Sequence, residues 1–318
     1  MTSTVRVLLI GAGKRVSLAM ALRSAAQSIG IEIDMFAYES TSDVPISSEA
    51  SIILGKRFND PSCGDHLRSV CDSENVDIAI ACHDAAVRFL PELPAGVFAP
   101  ACSPDLIEIF GSKRLSASYF RSLGMSVPPA ADGPPAIAKP DFGSSSKGLV
   151  FLRSTDDFAR FMAVEEVGSF EVQKQLSGPE FTVDAYKSTV SGRTYSAQRI
   201  RLETSGGEVV RTATVNENEI SREMDLLLNR PGVEGPLTAQ FIWDESESRF
   251  FIMEVNARFG GGMPASVAAG CPLIEAMFDD FLGRPSRSDV ALRNVTVARS
   301  FREHVFENTS SYRWRDHE

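Results

Sequence analysis

Several features that mark common protein classes are missing from this chain of 318 residues. No apolar stretch approaches the roughly 20 residues that a membrane-spanning helix needs, so we expect no membrane association. The formal net charge is −10, with 32 basic against 42 acidic residues, and this balance disfavours a nucleic-acid-binding surface. We therefore expect a protein that acts on small molecules and binds neither nucleic acid nor membrane.

Cysteine is also scarce, and its spacing excludes two further classes. The five cysteines are Cys63, Cys71, Cys82, Cys102 and Cys271. They are irregularly spaced and form no CxxC pair, which is typical of buried free thiols in a reducing compartment rather than of disulfides or a zinc site. We expect a cytoplasmic protein.

Two nucleotide-binding signatures are absent or incomplete. The chain has no GxxxxGK[ST] segment, so a P-loop mechanism has no support. The segment "GAGKRV" contains Gly11 and Gly13, but Val16 stands where a dinucleotide fingerprint has its third glycine, which weakens the alternative of a nicotinamide-dependent oxidoreductase. The two glycines still permit a tight strand-to-helix turn, whose amides could receive a substrate carboxylate or phosphate.

Hydrophobic periodicity divides the chain into three parts and a polar tail. Residues 1–103 alternate apolar strands with amphipathic helices, a pattern typical of a parallel, doubly wound α/β domain. Residues 104–177 begin with a helix and continue, after a Pro/Gly-rich break, with short strands. Residues 178–306 read as mostly antiparallel strands with few helices, and residues 307–318 as the tail. We expect an α/β domain followed by two α+β lobes.

The strongest chemical pattern is the strand "FFIMEVNARFGGG". Strand periodicity places Glu254, Asn256 and Arg258 on one face. Carboxylate and amide oxygens suit magnesium, whose remaining positions phosphates and water can fill. The neighbouring strand "PLTAQFIWDE" brings Gln240 toward the same place. A solvated strand face is the alternative, and the apolar residues around these positions disfavour it.

Two other segments have features of a nucleotide site. In "AIAKPDFGSSSKG", Lys139 ends a short strand and precedes a Gly/Ser loop whose amides can close over phosphates. In "FEVQKQLSGPEFTVDAY", the backbone of residues 173–176 can meet an adenine edge, and Glu180 can accept from ribose hydroxyls. Each segment alone is equally compatible with a surface hairpin, and Lys113 alone with a solvated helix position.

Taken in order, Lys113, "AIAKPDFGSSSKG", "VQKQLSGPE", "TAQFI" and "IMEVNARFGGGMPASVAAGCP" resemble the ATP-grasp superfamily over about residues 1 to 305. The branch that contains the carbamoyl phosphate synthase large subunit looks most similar. The resemblance implies an N-terminal Rossmann-like pre-ATP-grasp domain followed by a two-lobed ATP-grasp fold, with a possible homodimer. It also implies ATP and Mg²⁺ as cofactors, with Mn²⁺ as an alternative metal.

The resemblance carries over to individual positions. The implied nucleotide contacts, including a mobile lid over residues 143–148, are Lys113, Lys139, Gly143, Ser144, Ser145, Ser146, Gly148, Gln173, Lys174, Gln175, Leu176 and Glu180. The implied metal positions are Gln240, Glu254 and Asn256, and Arg258 would stabilise the transferring phosphoryl group. Arg199, Arg201 and Arg211 are candidates for contact with a substrate carboxylate or acyl phosphate, because guanidinium forks match both groups.

These residues predict a ligase that phosphorylates a small carboxylate, such as an amino acid, and joins it to an amine or a thiol. One alternative is a carbamoyl phosphate synthase-like unit that activates bicarbonate or carbamate, and another is a nucleotide-binding sensor without turnover. His83 and Asp84 follow the strand "DIAIAC" at the carboxyl edge of the predicted parallel sheet, where they could line a substrate pocket. A polar cap is the favoured role for His83.

Overall fold

The structure is a computed structural model that describes residues 4–143, 148–163, 168–288 and 290–307. Ser144, Ser145 and Ser146 of the expected lid, and the tail from residue 308, lie outside the described residues. No helix in the described part of the chain combines the length and the apolarity that crossing a membrane requires. All five cysteines are buried free thiols, as predicted.

The N-terminal part is a parallel sheet of four strands with order β3-β2-β1-β4. Its elements are β1 (Val5–Ile10), α1 (Val16–Ser28), β2 (Ile33–Glu39), β3 (Ser51–Leu54), α2 (Cys63–Ser73), β4 (Ile78–Ala81) and α3 (Asp84–Val87). Short 3-10 helices span Pro45–Ser48 and Leu90–Glu92. Strands β2 and β4 lie on opposite sides of β1, so the chain reverses direction across the sheet there. The carboxyl ends of β1 and β4 flank that switch point, where ligands of such sheets usually bind.

Two helices connect this sheet to the next lobe, namely α4 (Pro104–Gly111) and α5 (Lys113–Ser122). The sequence pattern suggests one continuous helix here. Instead, Ser112 leaves the helical conformation, and its hydroxyl accepts from the Leu115 N–H to cap α5. Leu106 of α4 and Phe120 of α5 join the same core as the large lobe. The packing thus separates these helices from the small-lobe sheet, with which the sequence pattern groups them.

The small lobe is a three-stranded antiparallel sheet of order β6-β5-β7. It contains β5 (Ala136–Pro140), β6 (Val150–Leu152), α6 (Thr155–Met162) and β7 (Phe170–Lys174). A capping box between Ser154 and Asp157 starts α6. The fully buried members of its own core are Ala136, Ala138 and Leu152, so this lobe is thinly packed.

The large lobe is a six-stranded antiparallel sheet of order β12-β11-β8-β9-β10-β13, with helices on its faces and at its edge. Its elements are β8 (Glu180–Lys187), β9 (Thr194–Ser205), β10 (Glu208–Val215), α7 (Asn218–Leu228), β11 (Gly235–Asp244), β12 (Arg249–Asn256), α8 (Met263–Ala268), α9 (Leu273–Phe281) and β13 (Thr296–Ala298). The antiparallel strands were expected. The three helices α7 to α9 exceed the low helix content that we expected for this lobe.

Two large hydrophobic cores bind the N-terminal sheet to the large lobe. In one, Leu8 and Ile10 of β1 share a core with Val183 of β8 and Leu237 of β11. In the other, the opposite face of β1 packs in one core with Tyr186 and Phe278. These two units therefore form one packed body, and the cleft between it and the small lobe holds the candidate site.

Candidate active site

A cleft runs between the small lobe and the large-lobe sheet, and most of the predicted site residues line it. The predicted residues in its lining are Lys113, Lys139, Gly143, Gln173, Gln175, Leu176, Glu180, Arg199, Arg201, Gln240, Glu254, Asn256 and Arg258. They come from α5, both lobes and the loop after β12. Positions separated by more than one hundred residues in the chain are therefore brought to one surface.

The floor of the cleft is the end of β12, and a bulge shapes it. Glu254 pairs with Gln240, but Ile252 pairs with Phe241, so Met253 is the extra residue on β12. Such a bulge breaks the strict alternation of faces. Met253, Glu254 and Asn256 consequently all line the cleft. The sequence periodicity predicted the two polar residues on this face but not the methionine between the apolar ones.

The side chains of Gln240, Glu254 and Asn256 form one hydrogen-bonded group. Gln240 Nε2 donates to Glu254 Oε1 over 2.7 Å, and Asn256 Nδ2 donates to the same oxygen over 3.1 Å. Gln240 Oε1 accepts from Arg201 over 3.2 Å. Gln240 therefore orients the Glu254 carboxylate through its amide nitrogen, and its amide oxygen accepts from Arg201 with one of two lone pairs. The Asn256 amide oxygen and the second Glu254 oxygen have no hydrogen-bond partner among the described residues.

Arg258 is held by the N-terminal sheet. Its Nε and Nη2 donate to the two carboxylate oxygens of Asp84 over 2.5 and 2.9 Å. Asp84 follows β4, at the switch point of the parallel sheet. Burial alone would lower the pKa of Arg258, but the Asp84 hydrogen bonds and charge outweigh it, and the pKa is raised. The guanidinium therefore stays charged at the junction of the two units.

Lys113 and Lys139 both line the cleft and are close enough to repel each other electrostatically. Lys113, the first residue of α5, donates from Nζ to the Gly143 carbonyl oxygen over 2.9 Å. The Asp141 carboxylate accepts from Ser112 Oγ and from the Arg114 N–H, which ties the start of α5 to the end of β5. Burial is the main cause that lowers the pKa of Lys139 to about 8, with Glu254 acting in the opposite direction and Lys113 adding to the decrease. Two cations this close provide a place for polyanionic groups.

Apolar side chains from both sides of the cleft form what we call the apolar slot. Ile137 and Phe151 belong to the small lobe, and Leu176, Ile242 and Met253 pack together on the side of the large lobe. The Gln173 side chain is 5 % exposed, and its Nε2 has no hydrogen-bond partner. The N–H groups of Lys174 and Gln175 bond to Pro129 and Pro135 carbonyl oxygens, whereas the Leu176 N–H has no partner among the described residues. The slot suits a flat heterocycle that can accept a hydrogen bond.

Of the remaining residues predicted to contact the nucleotide, Glu180 lines the cleft, whereas Lys174 and Gly148 do not. Glu180 and Arg201 both line the cleft and form an ion pair of 2.7 Å. The Lys174 side chain points away and pairs with Glu247 over 3.2 Å. Gly148 is adjacent to the cleft, with a positive φ of 75° that favours glycine.

The three candidate arginines separate into two that line the cleft and one that does not. Arg199 is 3 % exposed and is paired with Asp184 over 2.8 Å. Arg211 is exposed and outside the cleft lining, so the structure does not bring this candidate together with the other two. Two register shifts in the β9–β10 pairing flank Arg211, and they break the alternation that would otherwise place it on the same face as Val209.

The Glu39 carboxylate, at the end of β2, lies beside the N-terminal glycine turn. A Cβ on Gly13 would lie 3.2 Å from Glu39 Oε2. Burial raises the pKa of Glu39, the backbone amides of Ala12 and Gly13 oppose this shift, and Glu39 Oε1 has no hydrogen-bond partner among the described residues. A carboxylate at this position argues against use of the turn for a substrate phosphate. His83 caps α3 by accepting from the Ala85 N–H, so its predicted polar-cap role is confirmed.

Sequence reasoning missed several residues that line the cleft. They are Arg15, Glu208, Arg299 and the glycines at 260–262. The "GGG" run was a usable signal. A Cβ on Gly261 would lie 2.4 Å from an Arg15 guanidinium nitrogen, and one on Gly262 would lie 2.4 Å from the Arg199 guanidinium carbon. Only glycine allows both side chains this close to the loop.

Comparison with known proteins agrees with this architecture. Residues 168–303 match the model of a family described as ATP-grasp in the biosynthetic pathway with Ter operon. No curated protein matches the chain.

Solved structures of ATP-grasp enzymes superpose on nearly the whole chain. The biotin carboxylase domain of Hydrogenobacter thermophilus 2-oxoglutarate carboxylase, a dimer in complex with MgADP, ADP and bicarbonate, is 15% identical, with a TM-score of 0.71 over 92% of this chain and 73% of that one. The Staphylococcus aureus N5-carboxyaminoimidazole synthetase in complex with ADP is also 15% identical, with a TM-score of 0.71 over 92% and 81% of the two chains. An L-amino acid ligase from Bacillus licheniformis is 16% identical, with a TM-score of 0.65 over 88% and 75%.

At these identities the structures establish the fold, and the predicted Rossmann-like domain with two following lobes is confirmed. Together with the family match, they make this chain a protein of the ATP-grasp fold.

Proposed function

We propose that this protein is an ATP- and magnesium-dependent ligase that converts a small carboxylate to an acyl phosphate and joins it to an amine or a thiol. The observation that carries the proposal is the meeting of Glu254, Asn256 and Arg258 with Lys113 and Lys139 in one interlobe cleft. Its fold is that of structures solved with ADP and magnesium. Phosphoryl transfer needs aligned reactants and neutralised charge, and this residue set is suited to both.

The donor set fits a magnesium ion. Among the described residues, no three or more His, Cys, Asp or Glu side chains are grouped so that they could hold a metal ion. A site in which protein side chains supply all the metal ligands is therefore not proposed. Glu254 and the Asn256 amide instead offer hard oxygens on one side, as in sites where phosphates and water complete the octahedron. Bound there, the ion would neutralise phosphate charge during transfer.

The chain's own residues divide the remaining work. The apolar slot and the free Leu176 N–H would hold the adenine, and Lys113 and Lys139 would bind the phosphates. Gln240 and Asn256 orient the Glu254 carboxylate. Arg258, fixed by Asp84, would stabilise the charge of the transferring phosphoryl group, so that a substrate carboxylate attacks the γ-phosphorus and ADP leaves. An amine then displaces phosphate from the acyl phosphate, and a C–N bond forms.

We further propose that the protein is cytoplasmic and works as a homodimer. The five reduced, buried thiols support the location. The dimeric biotin carboxylase domain supports the assembly.

The test is ADP release with MgATP across amino acids, hydroxy acids, dipeptides and bicarbonate, each with and without an amine. Stimulation by a carboxylate and an amine together supports the ligase. Stimulation by bicarbonate alone would support a second candidate function, a carbamoyl phosphate synthase-like unit that activates bicarbonate. The biotin carboxylase structure, which holds bicarbonate, favours this second candidate. Tight ATP binding without turnover in any pair would contradict the ligase and favour a sensor.

A Glu254→Gln variant tests the metal assignment. It removes the carboxylate charge from a partly buried position without leaving a cavity, so we expect ADP release to fall about 100-fold or more, as for other lost transition-state electrostatics, while the unfolding temperature is retained. Glu245→Gln in the exposed β11–β12 turn is the matched control and should have wild-type rates. Unchanged turnover in Glu254→Gln would contradict the metal assignment.

A further inference from the structure

Besides Arg201, which pairs with Glu180, four arginines line the cleft. Three arginines there have their own carboxylates: Arg199 pairs with Asp184 over 2.8 Å, Arg258 with Asp84 over 2.5 Å and Arg299 with Glu208 over 3.4 Å. The fourth, Arg15, has no ion pair or side-chain hydrogen bond among the described residues. Arg15 is therefore the unbalanced cation of this region.

The position of Arg15 follows from the first turn of the chain. Gly11 has a φ of 74°, which turns the backbone sharply after β1, and Arg15 is the N-cap residue of α1. The side chain therefore starts at the switch point of the parallel sheet and lies against Gly261 of the large lobe. Asp84 is on the other side of this switch point, beyond β4.

Arg15 does not act alone, because a second donor is unused nearby. Nε and Nη2 of Arg199 face Asp184, whereas the Nη1 atom at the opposite corner is buried and has no partner. Arg199 is almost completely buried, with an exposed fraction of 3 %. An unsatisfied buried donor of a charged group carries a substantial free-energy cost unless a ligand supplies the acceptor.

The charges of these arginines also affect one another's pKa values. Burial and the Arg258 charge lower the pKa of Arg15, while Glu208 and Asp84 oppose this shift only in part. Burial lowers the pKa of Arg299, with Glu208 opposing and Arg199 and Arg15 adding to the decrease. Like charges that are held together and partly desolvated attract an anion between them.

Resting on the ligase function proposed above, we propose that Arg15 and Arg199, over the glycines at 261 and 262, form a subsite for a substrate carboxylate that is not phosphorylated. The group activated by ATP must lie near the proposed metal positions Glu254 and Asn256, whereas this subsite is formed by Arg15 at the start of α1, by Arg199 of β9 and by the loop after β12. One of the two substrates therefore carries a free carboxylate. It is either the α-carboxylate of an amino acid acceptor or the second carboxylate of a diacid donor.

The first experiment measures binding without turnover. Malonate, succinate and glutarate, each compared with its own monoamide at matched ionic strength, are titrated into the full-length protein with MgADP by calorimetry. At least one diacid should bind about 10-fold or more tightly than its monoamide, as expected for a charge-assisted hydrogen bond. Arg15→Gln should abolish that preference, and Arg222→Gln on the exposed face of α7 should retain it. No preference in the wild type, or an unchanged one in Arg15→Gln, overturns the subsite.

The second experiment identifies which substrate carries the carboxylate. ADP release is measured with acceptor amino acids against their amides, and with diacid donors against their monoamides. In Arg15→Gln, the KM of the carboxylate-bearing partner should rise about 10-fold or more with the KM of ATP unchanged. A fall in kcat with an unchanged KM would overturn a binding role. Failure of every pair to stimulate ADP release in the wild type contradicts the ligase, while the calorimetric result still decides the subsite.

Discussion

Single side chains in this cleft are controlled by burial and by a few close charges. Lys139 illustrates the first effect, since burial lowers its pKa to about 8. Arg258 illustrates the second, because the Asp84 carboxylate keeps its pKa raised despite burial. The same environment thus weakens the charge of one phosphate-facing residue and protects that of the other.

The Lys139 shift predicts a pH dependence. The folded protein binds fewer protons than the unfolded chain between pH 8 and the ordinary lysine pKa of about 10.4. The stability cost of the buried ammonium is therefore fully present below pH 8 and is relieved as the pH rises through that window. Nucleotide phosphates favour the ammonium, so binding should take up a proton at about pH 8 to 9 and should weaken at higher pH. Calorimetry in two buffers of different ionisation enthalpy measures this uptake.

Lys139→Arg is the control for this prediction. A guanidinium stays charged over the whole range. Nucleotide binding by the variant should therefore show no proton uptake near pH 8 to 9, in contrast to the wild type. Equal uptake in both proteins would assign the proton to another group.

The Asp84 contact predicts a stability effect. Asp84→Asn leaves the Arg258 guanidinium with one neutral acceptor in place of two charged ones, so the free energy of unfolding should fall by about 1–3 kcal/mol. Urea denaturation of the ligand-free protein measures it. Asp72→Asn, an exposed carboxylate on α2, should stay within about 0.5 kcal/mol of wild type. A variant as stable as the control would mean that Asp84 does not hold Arg258.

At the scale of elements, bulges and glycines decide what the cleft contains. The extra residue in β12 places Met253 beside Glu254, and the shifts in β10 remove Arg211 from the site. A third feature is the turn between β7 and β8. There a Cβ on Gly178 would lie 2.0 Å from the Trp243 carbonyl oxygen of β11. This turn joins the small lobe to the large-lobe sheet.

Gly178→Ala should therefore be destabilising. The added methyl group meets a backbone atom of β11, which is hydrogen-bonded to a strand on each side and cannot move aside as a flexible side chain can. We expect a loss of about 1–3 kcal/mol, the range for overpacked sites. Gly96→Ala, where nothing lies within 4 Å of the added Cβ, is the matched control. Thermal unfolding of both variants gives the comparison, and equal melting temperatures would contradict the predicted clash.

At the scale of the whole molecule, packing is uneven. The N-terminal sheet and the large lobe share two extensive cores, whereas the small lobe has a thin core of its own. Ion pairs such as Lys174–Glu247 connect the small lobe to the body through partly exposed side chains. Surface pairs of this kind contribute little stability.

This unevenness predicts how the protein opens locally. Amide hydrogens of β5 and β7 should exchange faster than those of β8 and β11, since local opening needs less free energy where few apolar contacts are lost. Nucleotide binding should slow exchange in β5 and β7 most, because the slot joins them to the body. Mass-spectrometric hydrogen exchange with and without MgADP tests this. Uniform protection across both lobes would contradict it.

Much of this organisation follows from short-range patterns. The alternation of strands and helices before residue 103 predicted the parallel sheet, because each element is encoded in a few neighbouring residues. The i, i+2 spacing of Glu254 and Asn256 placed them on one strand face for the same reason. The resemblance of the later segments to ATP-grasp motifs then predicted the two lobes.

By itself, the sequence determined the fold class, the interlobe cleft and its polar floor. Only the tertiary structure decided that Asp84 holds Arg258, which is 174 residues away in the chain, and that Glu39 lies beside the glycine turn. It also decided that Arg15 and Arg199 lie against the neighbouring glycines 261 and 262 and that Arg211 lies outside the cleft lining. Periodicity describes a residue relative to its neighbours in the chain. Contacts between distant elements and single-residue bulges depend on packing that no local pattern encodes.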